Sequence, residues 1–162
     1  MNDETINDLL NYNNIKIYQN KNYFNFSLDS ILLPNFVQLN KNINKILDLC
    51  TGNIPVPLVL STKTDAKIYA VEIQKEIYEL ALKTLRINKL ENKIVLINDD
   101  AKNAINNFET DSFDLITCNP PYFKCTDKSI KNDNKIKSIA RHEIMITLED
   151  IIIMSKKLLK NN

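Results

Sequence analysis

Short apolar runs bounded by polar or turn-forming residues recur along this chain, and segments of helical periodicity separate them. Four of the runs are only five or six residues long, which is typical of buried strands. These predicted strands span 45–50, 67–72, 93–97 and 113–118. After the second strand, Ile77, Leu80, Ala81 and Leu85 share one face of a helix predicted over 75–90. Strands that alternate with helices predict an α/β fold with a mostly parallel sheet.

The N-terminal part of the chain has weaker patterns. Thr5 to Leu10 predicts a short helix, and the weak alternation of Ile15 to Tyr18 predicts a strand. A longer helix is expected from Leu28 towards Leu39, with Ser27 as its N-cap and Pro34 as a point where it kinks or divides. A structural role for this longer helix would be to cover one edge of the sheet.

Composition narrows the class of protein. The chain has 162 residues, of which 44% are apolar, enough for one domain with a sizeable core. A net charge of +1 gives no global signal for nucleic acid or membrane, and it leaves local basic patches open. No apolar run approaches the ~20 residues of a membrane span, and no signal peptide is recognisable. Cys50, Cys118 and Cys125 form no C-x-x-C pair, so we expect reduced thiols, a cytoplasmic protein and no metal.

The only glycine, Gly52, lies in a tight turn after the first predicted strand. Strand, turn and helix over 45–61 are typical of the cofactor-binding unit of a Rossmann-like fold. Glu72 ends the second strand roughly twenty residues later, where an acid that holds ribose hydroxyls is expected; capping of the next helix is the alternative. Because the chain has 24 asparagines, we expect asparagine to replace glycine at some positive-φ positions.

The fourth predicted strand runs into Asn119, Pro120, Pro121 and Tyr122. Neither proline has an N–H group, so the strand must end in a stiff turn, at the edge of the sheet where ligands bind. The Asn119 side-chain oxygen and the Pro120 carbonyl can accept both N–H bonds of an –NH₂ group, and the Tyr122 ring can stack on its plane. The alternative is that the prolines simply end a strand.

Asn-Pro-Pro-Tyr after a strand resembles the motif of amino-group methyltransferases that use S-adenosylmethionine (SAM). Further phrases extend the resemblance from Gln19 over nearly the whole chain, and together they are similar to bacterial tRNA adenine-N(6) methyltransferases, which modify an adenine beside the anticodon of valine tRNA. The phrases are Phe26-Ser27-x-Asp29, Asp48 to Asn53, Val71 to Gln74 and Arg141 to Glu143. The resemblance implies a Rossmann-like class I methyltransferase fold, SAM as cofactor, tRNA as partner and methyl transfer to the exocyclic amine of adenine.

The resemblance also implies roles for particular residues. The catalytic residues would be Asn119, Pro120 and Tyr122, and the substrate would also contact Phe123, Arg141 and His142. The cofactor would be held by Asp48, Thr51, Gly52, Asn53, Glu72, Asp100 and Asn119.

Alternatives remain for several of these roles. Asp99 is the alternative to Asp100, and both acids could instead cap the next helix. His142, the only histidine, has a structural role as its alternative. Five lysines within 123–138 suit contact with phosphates or a solvated loop equally well. The last helix is expected over about 148–159, with Thr147 as its N-cap.

Two departures from the family pattern lead to further expectations. Ile54 stands where the family has a second glycine; we expect Pro55 to favour an extended backbone there and the side chain to crowd the methionine end of SAM. The family fold continues beyond the fourth strand, so we expect a single methyltransferase domain over 1–162, with an N-terminal segment 1–42 and an incomplete core 43–162. The strand over 113–118 would then form an exposed edge.

Two other functions remain open from the sequence. The same four residues of the Asn-Pro-Pro-Tyr turn suit the amide nitrogen of a glutamine in a protein substrate. A catalytically disabled remnant that still binds SAM or RNA is the other alternative, because Ile54 alters the glycine turn.

Overall fold

The computed structural model describes residues 3–23, 25–120 and 146–161. The chain begins with an antiparallel hairpin of β1 (Glu4–Leu9) and β2 (Tyr12–Asn20). The later strands are β3 (Lys45–Leu49), β4 (Lys67–Glu72), β5 (Ile94–Asn98) and β6 (Leu115–Cys118). The helices are α1 (Asp29–Phe36), α2 (Pro55–Ser61), α3 (Lys75–Ile87), α4 (Ala101–Ala104) and α5 (Leu148–Leu158), and a 3-10 turn spans Ile105–Asn107.

Strands β3 to β6 form a parallel four-stranded sheet in the order β5-β4-β3-β6. Asp48 of β3 lies opposite Ala70 of β4 and Thr117 of β6. This register brings the carboxyl ends of the three strands to one edge of the sheet. The parallel α/β fold predicted from the alternation of strands and helices is therefore confirmed.

Side chains of successive strand residues point to opposite faces of the sheet, and each face has its own hydrophobic cluster. In β3, Ile46 belongs to the cluster on the side of the hairpin, α1, α2 and α3. Leu47 and Leu49 belong to the cluster on the other side, which α4 and α5 cover. Asp48 points to the same side as Ile46 and is itself buried. A carboxylate at this depth needs specific partners, because burial of an unpaired charge is costly.

The prediction of a helix at Thr5 to Leu10 is wrong, because residues 4–9 form β1. Only Leu9 of this strand is buried, so the strand depends on backbone hydrogen bonds to β2 rather than on a buried face. The hairpin turns through Asn11, whose φ is +64°. An asparagine here takes the place of glycine, as the composition suggests.

Helix α1 differs from the prediction at both ends. It begins at Asp29 and ends at Phe36, and its N-cap is Leu28 instead of Ser27. The Ser27 hydroxyl donates to the Asp29 carboxylate at 3.3 Å, so it does not cap a backbone N–H group. Pro34 is buried within the helix and does not divide it.

The start of α5 agrees with the sequence, whereas the strand predicted over 113–118 is shorter, at Leu115–Cys118. Thr147 is the N-cap of α5 and forms a reciprocal capping box with Asp150. Among the described residues, β6 pairs with β3 alone, so it is the outermost strand on that side of the sheet. Just before β6, Phe113 forms a single parallel bridge with Leu159, which follows α5.

Candidate functional site

Asp48 lies at the centre of the sheet edge formed by the ends of β3, β4 and β6. One of its carboxylate oxygens accepts a hydrogen bond from the Thr51 hydroxyl at 2.5 Å. The other accepts from the Thr117 hydroxyl at 2.6 Å. Thr51 belongs to the glycine turn, whereas Thr117 comes two residues before Asn119. One buried carboxylate therefore joins the candidate cofactor turn to the strand that leads into the candidate catalytic turn.

Burial raises the pKa of Asp48 from 3.8 to about 7, although the hydrogen bonds from Thr117 and Thr51 lower it. The negative charge of the neighbouring Glu72 raises this pKa further. At neutral pH the Asp48 carboxyl is therefore close to half protonated. A neutral Asp48 places less negative charge at this edge than the sequence alone indicates.

Every second residue from 50 to 54 in the glycine turn has a left-handed backbone conformation. Cys50, Gly52 and Ile54 have φ values of +54°, +57° and +55°. Gly52 fits this conformation without strain, and a Cβ added to it would meet no atom within 4 Å. The turn therefore faces open space at Gly52, as a cofactor-binding turn must.

Both expectations for Ile54 are wrong. Its backbone is left-handed instead of extended. Its side chain is 0% exposed and belongs to the hydrophobic cluster with Ile31 of α1 and Leu58 of α2. The side chain therefore fills the core and does not project into the open space next to Gly52. The strain of a β-branched residue at positive φ is offset by this burial.

Glu72 ends β4 beside the glycine turn and is buried. Its two carboxylate oxygens accept from the backbone N–H groups of Gly52 at 2.9 Å and Gln74 at 2.8 Å. Burial raises the pKa of Glu72, whereas the N–H groups of Gln74 and Gly52 lower it. The bond to Gln74 also supports the alternative, structural role of Glu72 at the start of the next helix, because Gln74 is the N-cap residue of α3.

Asn53, a predicted cofactor ligand, has its side chain bound elsewhere. Its amide nitrogen donates to the Tyr18 carbonyl in β2. Its amide oxygen accepts from the Thr84 hydroxyl of α3 at 3.1 Å, and the same hydroxyl accepts from the Tyr18 N–H group at 3.1 Å. This three-residue junction attaches the hairpin to the glycine turn and to α3. Of Asn53, only the backbone remains a candidate for cofactor contact.

The two acids after β5 both make the local contacts expected of helix-start residues. Asp100 is the N-cap of α4, and its carboxylate accepts from the Lys102 N–H group at 2.9 Å. The Asp99 carboxylate accepts from the Asp100 N–H group at 2.7 Å. The Asp99 N–H group itself donates to the Glu72 carbonyl at 3.2 Å, so this turn lies next to the end of β4.

Asn119 follows β6 and is half-buried. Its side-chain nitrogen donates to the hydroxyl of Ser30 in α1 at 2.9 Å. Ser30 and Thr117 are site residues that the sequence did not indicate, because a single serine or threonine within an apolar segment resembles any other. Pro120 is also described, whereas Tyr122, Phe123, Arg141, His142 and the loop over 123–138 lie outside the described residues.

The two described cysteines, Cys50 and Cys118, are free thiols on adjacent strand ends. Both are partly buried and pack against the hydrophobic cluster on the side of α4 and α5. A hydrogen bond with Cys50 and burial both raise the pKa of the Cys118 thiol. The Cys118 thiol is therefore poorly ionised at neutral pH and makes a weak nucleophile.

Within residues 3–23, 25–120 and 146–161, no cluster of three or more His, Cys, Asp or Glu side chains is suited to hold a metal ion. In the same part of the chain, no helix combines the length and the hydropathy needed to cross a membrane.

Comparison with known protein families shows which family the chain belongs to. The model of the methyltransferase small domain matches residues 27–158, which include α1, the glycine turn, β6 and α5. The chain belongs to the methyltransferase small domain family. A SAM-dependent methyltransferase of this fold from Agrobacterium tumefaciens superposes with a TM-score of 0.66 at 17% identity, covering 99% of this chain and 50% of that one. The Rossmann-like fold expected from the motifs is thereby confirmed.

Relatives of this methyltransferase small domain include two kinds of enzyme. The tRNA1(Val) (adenine(37)-N6)-methyltransferase of Pseudoalteromonas translucida is 32% identical over 133 residues, 82% of this chain and 54% of the relative. The release factor glutamine methyltransferase of Thermodesulfovibrio yellowstonii is 30% identical over 119 residues, 73% of this chain and 41% of the relative. The chain thus spans about half the length of these relatives. The similarity to tRNA adenine-N(6) methyltransferases that the motifs indicate is confirmed.

Proposed function

We propose that this chain transfers a methyl group from SAM to the exocyclic amine of an adenine in tRNA. The observation that supports this most directly is the position of Asp48. It binds Thr51 and Thr117 at once, so the glycine turn and the Asn119 turn lie side by side. A methyl donor and an amine held by these two turns would therefore be neighbours. The name of the relative, a tRNA1(Val) (adenine(37)-N6)-methyltransferase, agrees with this substrate.

The residues at the sheet edge fit SAM as cofactor. Gly52 faces open space, and Glu72 offers buried carboxylate oxygens at the end of β4, where ribose hydroxyls are expected. Asp100 is the candidate for the adenine amine of the cofactor, next to its capping role. When bound, SAM supplies an electrophilic methyl group on a positively charged sulfur.

Asn119 and Pro120 would prepare the amine of the substrate. This amine is a poor nucleophile because its lone pair is delocalised into the adenine ring. Two acceptors, the Asn119 side-chain oxygen and the Pro120 carbonyl, favour a more pyramidal nitrogen and free the lone pair. In this proposal, Tyr122 together with Phe123 would stack on the substrate base. Positioning supplies most of the rate, so no strong base is required.

Methyl transfer needs no reactant other than SAM and the substrate amine. The amine nitrogen forms a bond to the methyl carbon while the bond between this carbon and sulfur breaks. The electron pair of the broken bond stays on sulfur. The nitrogen then releases one proton to solvent.

The test is calorimetric titration of SAM into the 162-residue chain, followed by transfer of labelled methyl groups to unmodified tRNA. We expect Asn119→Ala to lower transfer by about 10²-fold or more, while the dissociation constant for SAM changes by no more than a few-fold. The exposed Asn106 provides a matched control, Asn106→Ala, which should behave as wild type. Full transfer by Asn119→Ala would refute its role.

A second candidate function is methylation of a glutamine amide in a protein. The identity with the release factor glutamine methyltransferase favours it, and the same two acceptors suit an amide nitrogen. Labelled methyl in protein and none in tRNA would decide for this candidate. SAM binding without transfer to either substrate would instead favour the disabled remnant.

A further inference from the structure

We propose that Thr117 is a positioning residue that, through Asp48, sets the distance between the glycine turn and the turn that begins at Asn119. The inference rests on the proposed function, in which these two turns hold the methyl donor and the substrate amine. Its basis is the hydrogen bond of 2.6 Å that the Thr117 hydroxyl donates to one Asp48 oxygen, while Thr51 of the glycine turn donates to the other oxygen at 2.5 Å. Asp48 therefore holds both turns at once.

The position of Thr117 in the sheet explains why its hydroxyl reaches Asp48. The two residues are register partners in the adjacent strands β6 and β3, so their side chains lie on the same face of the sheet. Thr117 is 3% exposed, Asp48 is 1% exposed and Thr51 is 5% exposed. Water is therefore largely excluded from these two hydrogen bonds, and solvent does not readily replace a donor that is lost.

The bond from Thr117 lies where the backbone pairing of β6 stops. The ladder between β3 and β6 ends at Leu49 and Cys118, one residue after Asp48 and Thr117, and both chains then leave the sheet. Among the described residues, β3 is the only strand that pairs with β6, so no ladder on the outer side holds its end. We therefore expect the Thr117 hydroxyl to keep the end of β6, and the turn that follows it, in place beside the glycine turn.

The glycine turn has further anchors that do not involve Thr117. The Gly52 N–H group donates to the Glu72 carboxylate at 2.9 Å, and the Thr51 N–H group donates to the Val71 carbonyl at 3.0 Å. Both of these acceptors belong to β4. Loss of the Thr117 hydroxyl would therefore loosen the turn after β6 and leave the candidate cofactor site largely unchanged.

Thr117 would in this way affect the rate of methyl transfer without contact with SAM or the substrate. The reaction requires the amine nitrogen to lie about 3–3.5 Å from the methyl carbon, and a misplacement of about 1 Å costs up to about 10²-fold in rate. A looser turn after β6 lowers the fraction of complexes that have this geometry. The expected signature is a lower kcat with little change in the affinity for SAM.

Thr117→Val and Thr117→Ser provide a matched pair, because valine keeps the shape of threonine and serine keeps its hydroxyl. We expect Thr117→Val to lower kcat about tenfold, with the dissociation constant for SAM changed by less than about threefold, and Thr117→Ser to stay within about threefold of the wild-type kcat. Thr62→Val is the control, because the Thr62 hydroxyl donates only to the Val59 carbonyl, and it should leave kcat unchanged. A wild-type kcat in Thr117→Val, or an equal loss in Thr117→Ser, would overturn the inference. So would a loss of rate that saturating SAM restores.

A second readout, the titration of Asp48, is independent of activity. Burial raises the pKa of Asp48 to about 7 against the lowering effect of the Thr117 hydroxyl. Removal of this donor in Thr117→Val should therefore raise the pKa of Asp48 further, whereas Thr117→Ser should leave it near the wild-type value. The carbon-13 signal of the carboxyl group, identified by its loss in Asp48→Asn, measures this pKa. An unchanged pKa in Thr117→Val would overturn the inference.

Folding and the proposed function are checked separately. Asp48 can take up a proton when it loses a donor, so we expect Thr117→Val to fold. If circular dichroism shows an unfolded chain, Thr117→Ala takes its place with the same expected results. Absence of transfer by the wild-type chain would count against the proposed function, and the pKa of Asp48 in the variants would then still support or overturn the link from Thr117 to Asp48.

Discussion

Ile54 shows how a single residue can meet two opposing demands. The left-handed backbone of the turn favours glycine, because a β-branched residue there costs about 1–2 kcal/mol. The core next to α1 and α2 favours a large apolar side chain, and Ile54 is fully buried in it. Burial of a side chain of this size stabilises by about 1.5–3 kcal/mol, which is enough to outweigh the strain.

We therefore expect Ile54→Gly to destabilise the chain, although glycine is the better residue for the backbone. Loss of the buried side chain leaves a cavity, whose cost exceeds the relief of strain by about 2 kcal/mol. Urea unfolding of both proteins at one pH measures the difference. Ile54→Val keeps most core contacts and should lose about 1 kcal/mol. A glycine variant as stable as wild type would contradict this expectation, because the cost of the cavity would then only equal the relief of strain.

Asp48 makes stability depend on pH. Its pKa is about 7 in the folded chain and near 3.8 when unfolded, so the folded state binds this proton more tightly. The stabilisation is complete below pH 4 and is lost as pH rises from about 4 to about 7. The total loss is at most about 4 kcal/mol, since each pKa unit corresponds to about 1.4 kcal/mol. Glu72, whose pKa is also raised, contributes in the same direction.

The matching variant is Asp48→Asn, which keeps the size of the side chain and cannot ionise. Unfolding free energies measured between pH 4 and pH 7.5 should fall for wild type and change much less for Asp48→Asn. Asp65→Asn removes an exposed carboxyl and should retain the wild-type slope. Parallel slopes in wild type and Asp48→Asn would contradict the assignment to Asp48.

At the scale of elements, the buried parallel strands were the easiest to predict. The strand over 67–72 has the predicted bounds, and the strand predicted over 45–50 forms at Lys45–Leu49. Their apolar runs need burial on both faces, a demand that is visible in the sequence itself. Strand β1 was missed because it is mostly polar and exposed, and its structure depends on pairing with β2.

The residues of the candidate site also fall into two groups, those that the sequence predicts and those that it does not. Asp48, Glu72 and Asn119 could be placed because each lies at or near the carboxyl end of a strand, and these ends of a parallel sheet meet at one edge. The partners of these residues could not be predicted. Thr117 reaches Asp48 across 69 positions, and the Asn53 amide finds Tyr18 35 positions away. Such pairs depend on how the elements pack, which no local pattern encodes.

The junction of Asn53, Tyr18 and Thr84 predicts how the hairpin is attached to the core. Thr84→Val keeps the shape of a residue that is 0% exposed and removes its hydroxyl. The Tyr18 N–H group and the Asn53 oxygen then each lose a partner, and we expect a loss of about 1–3 kcal/mol. Hydrogen exchange of the β2 amides should speed up more than that of the β4 amides.

Thr62→Val is the control for this test. Thr62 follows α2, and its hydroxyl donates only to the Val59 carbonyl at 2.8 Å within the same helix. This variant should leave exchange in β2 unchanged. Equal acceleration in β2 and β4 for Thr84→Val would indicate a general loss of stability rather than release of the hairpin.

For the molecule as a whole, a cofactor at the carboxyl ends of β3, β4 and β6 would contact three strands at once. A ligand that binds only the folded state stabilises it by about 2.7 kcal/mol at 100 times its dissociation constant. We therefore expect SAM to raise the melting temperature in a concentration-dependent manner. Gly52→Ala places a methyl group in the open space of the turn and should weaken this effect. Adenosine triphosphate, which lacks the methionine part, serves as the control ligand.

Ile54 also affects how this sequence can change over generations. If an ancestor had glycine at this position, a later change to isoleucine would have been followed by adjustment of α1 and α2 around the new side chain. Once they had done so, return to glycine would pass through a less stable chain, even though the backbone conformation had never changed. In that case, the residues packed around Ile54 would have to change before a second glycine could return to the turn without loss of stability.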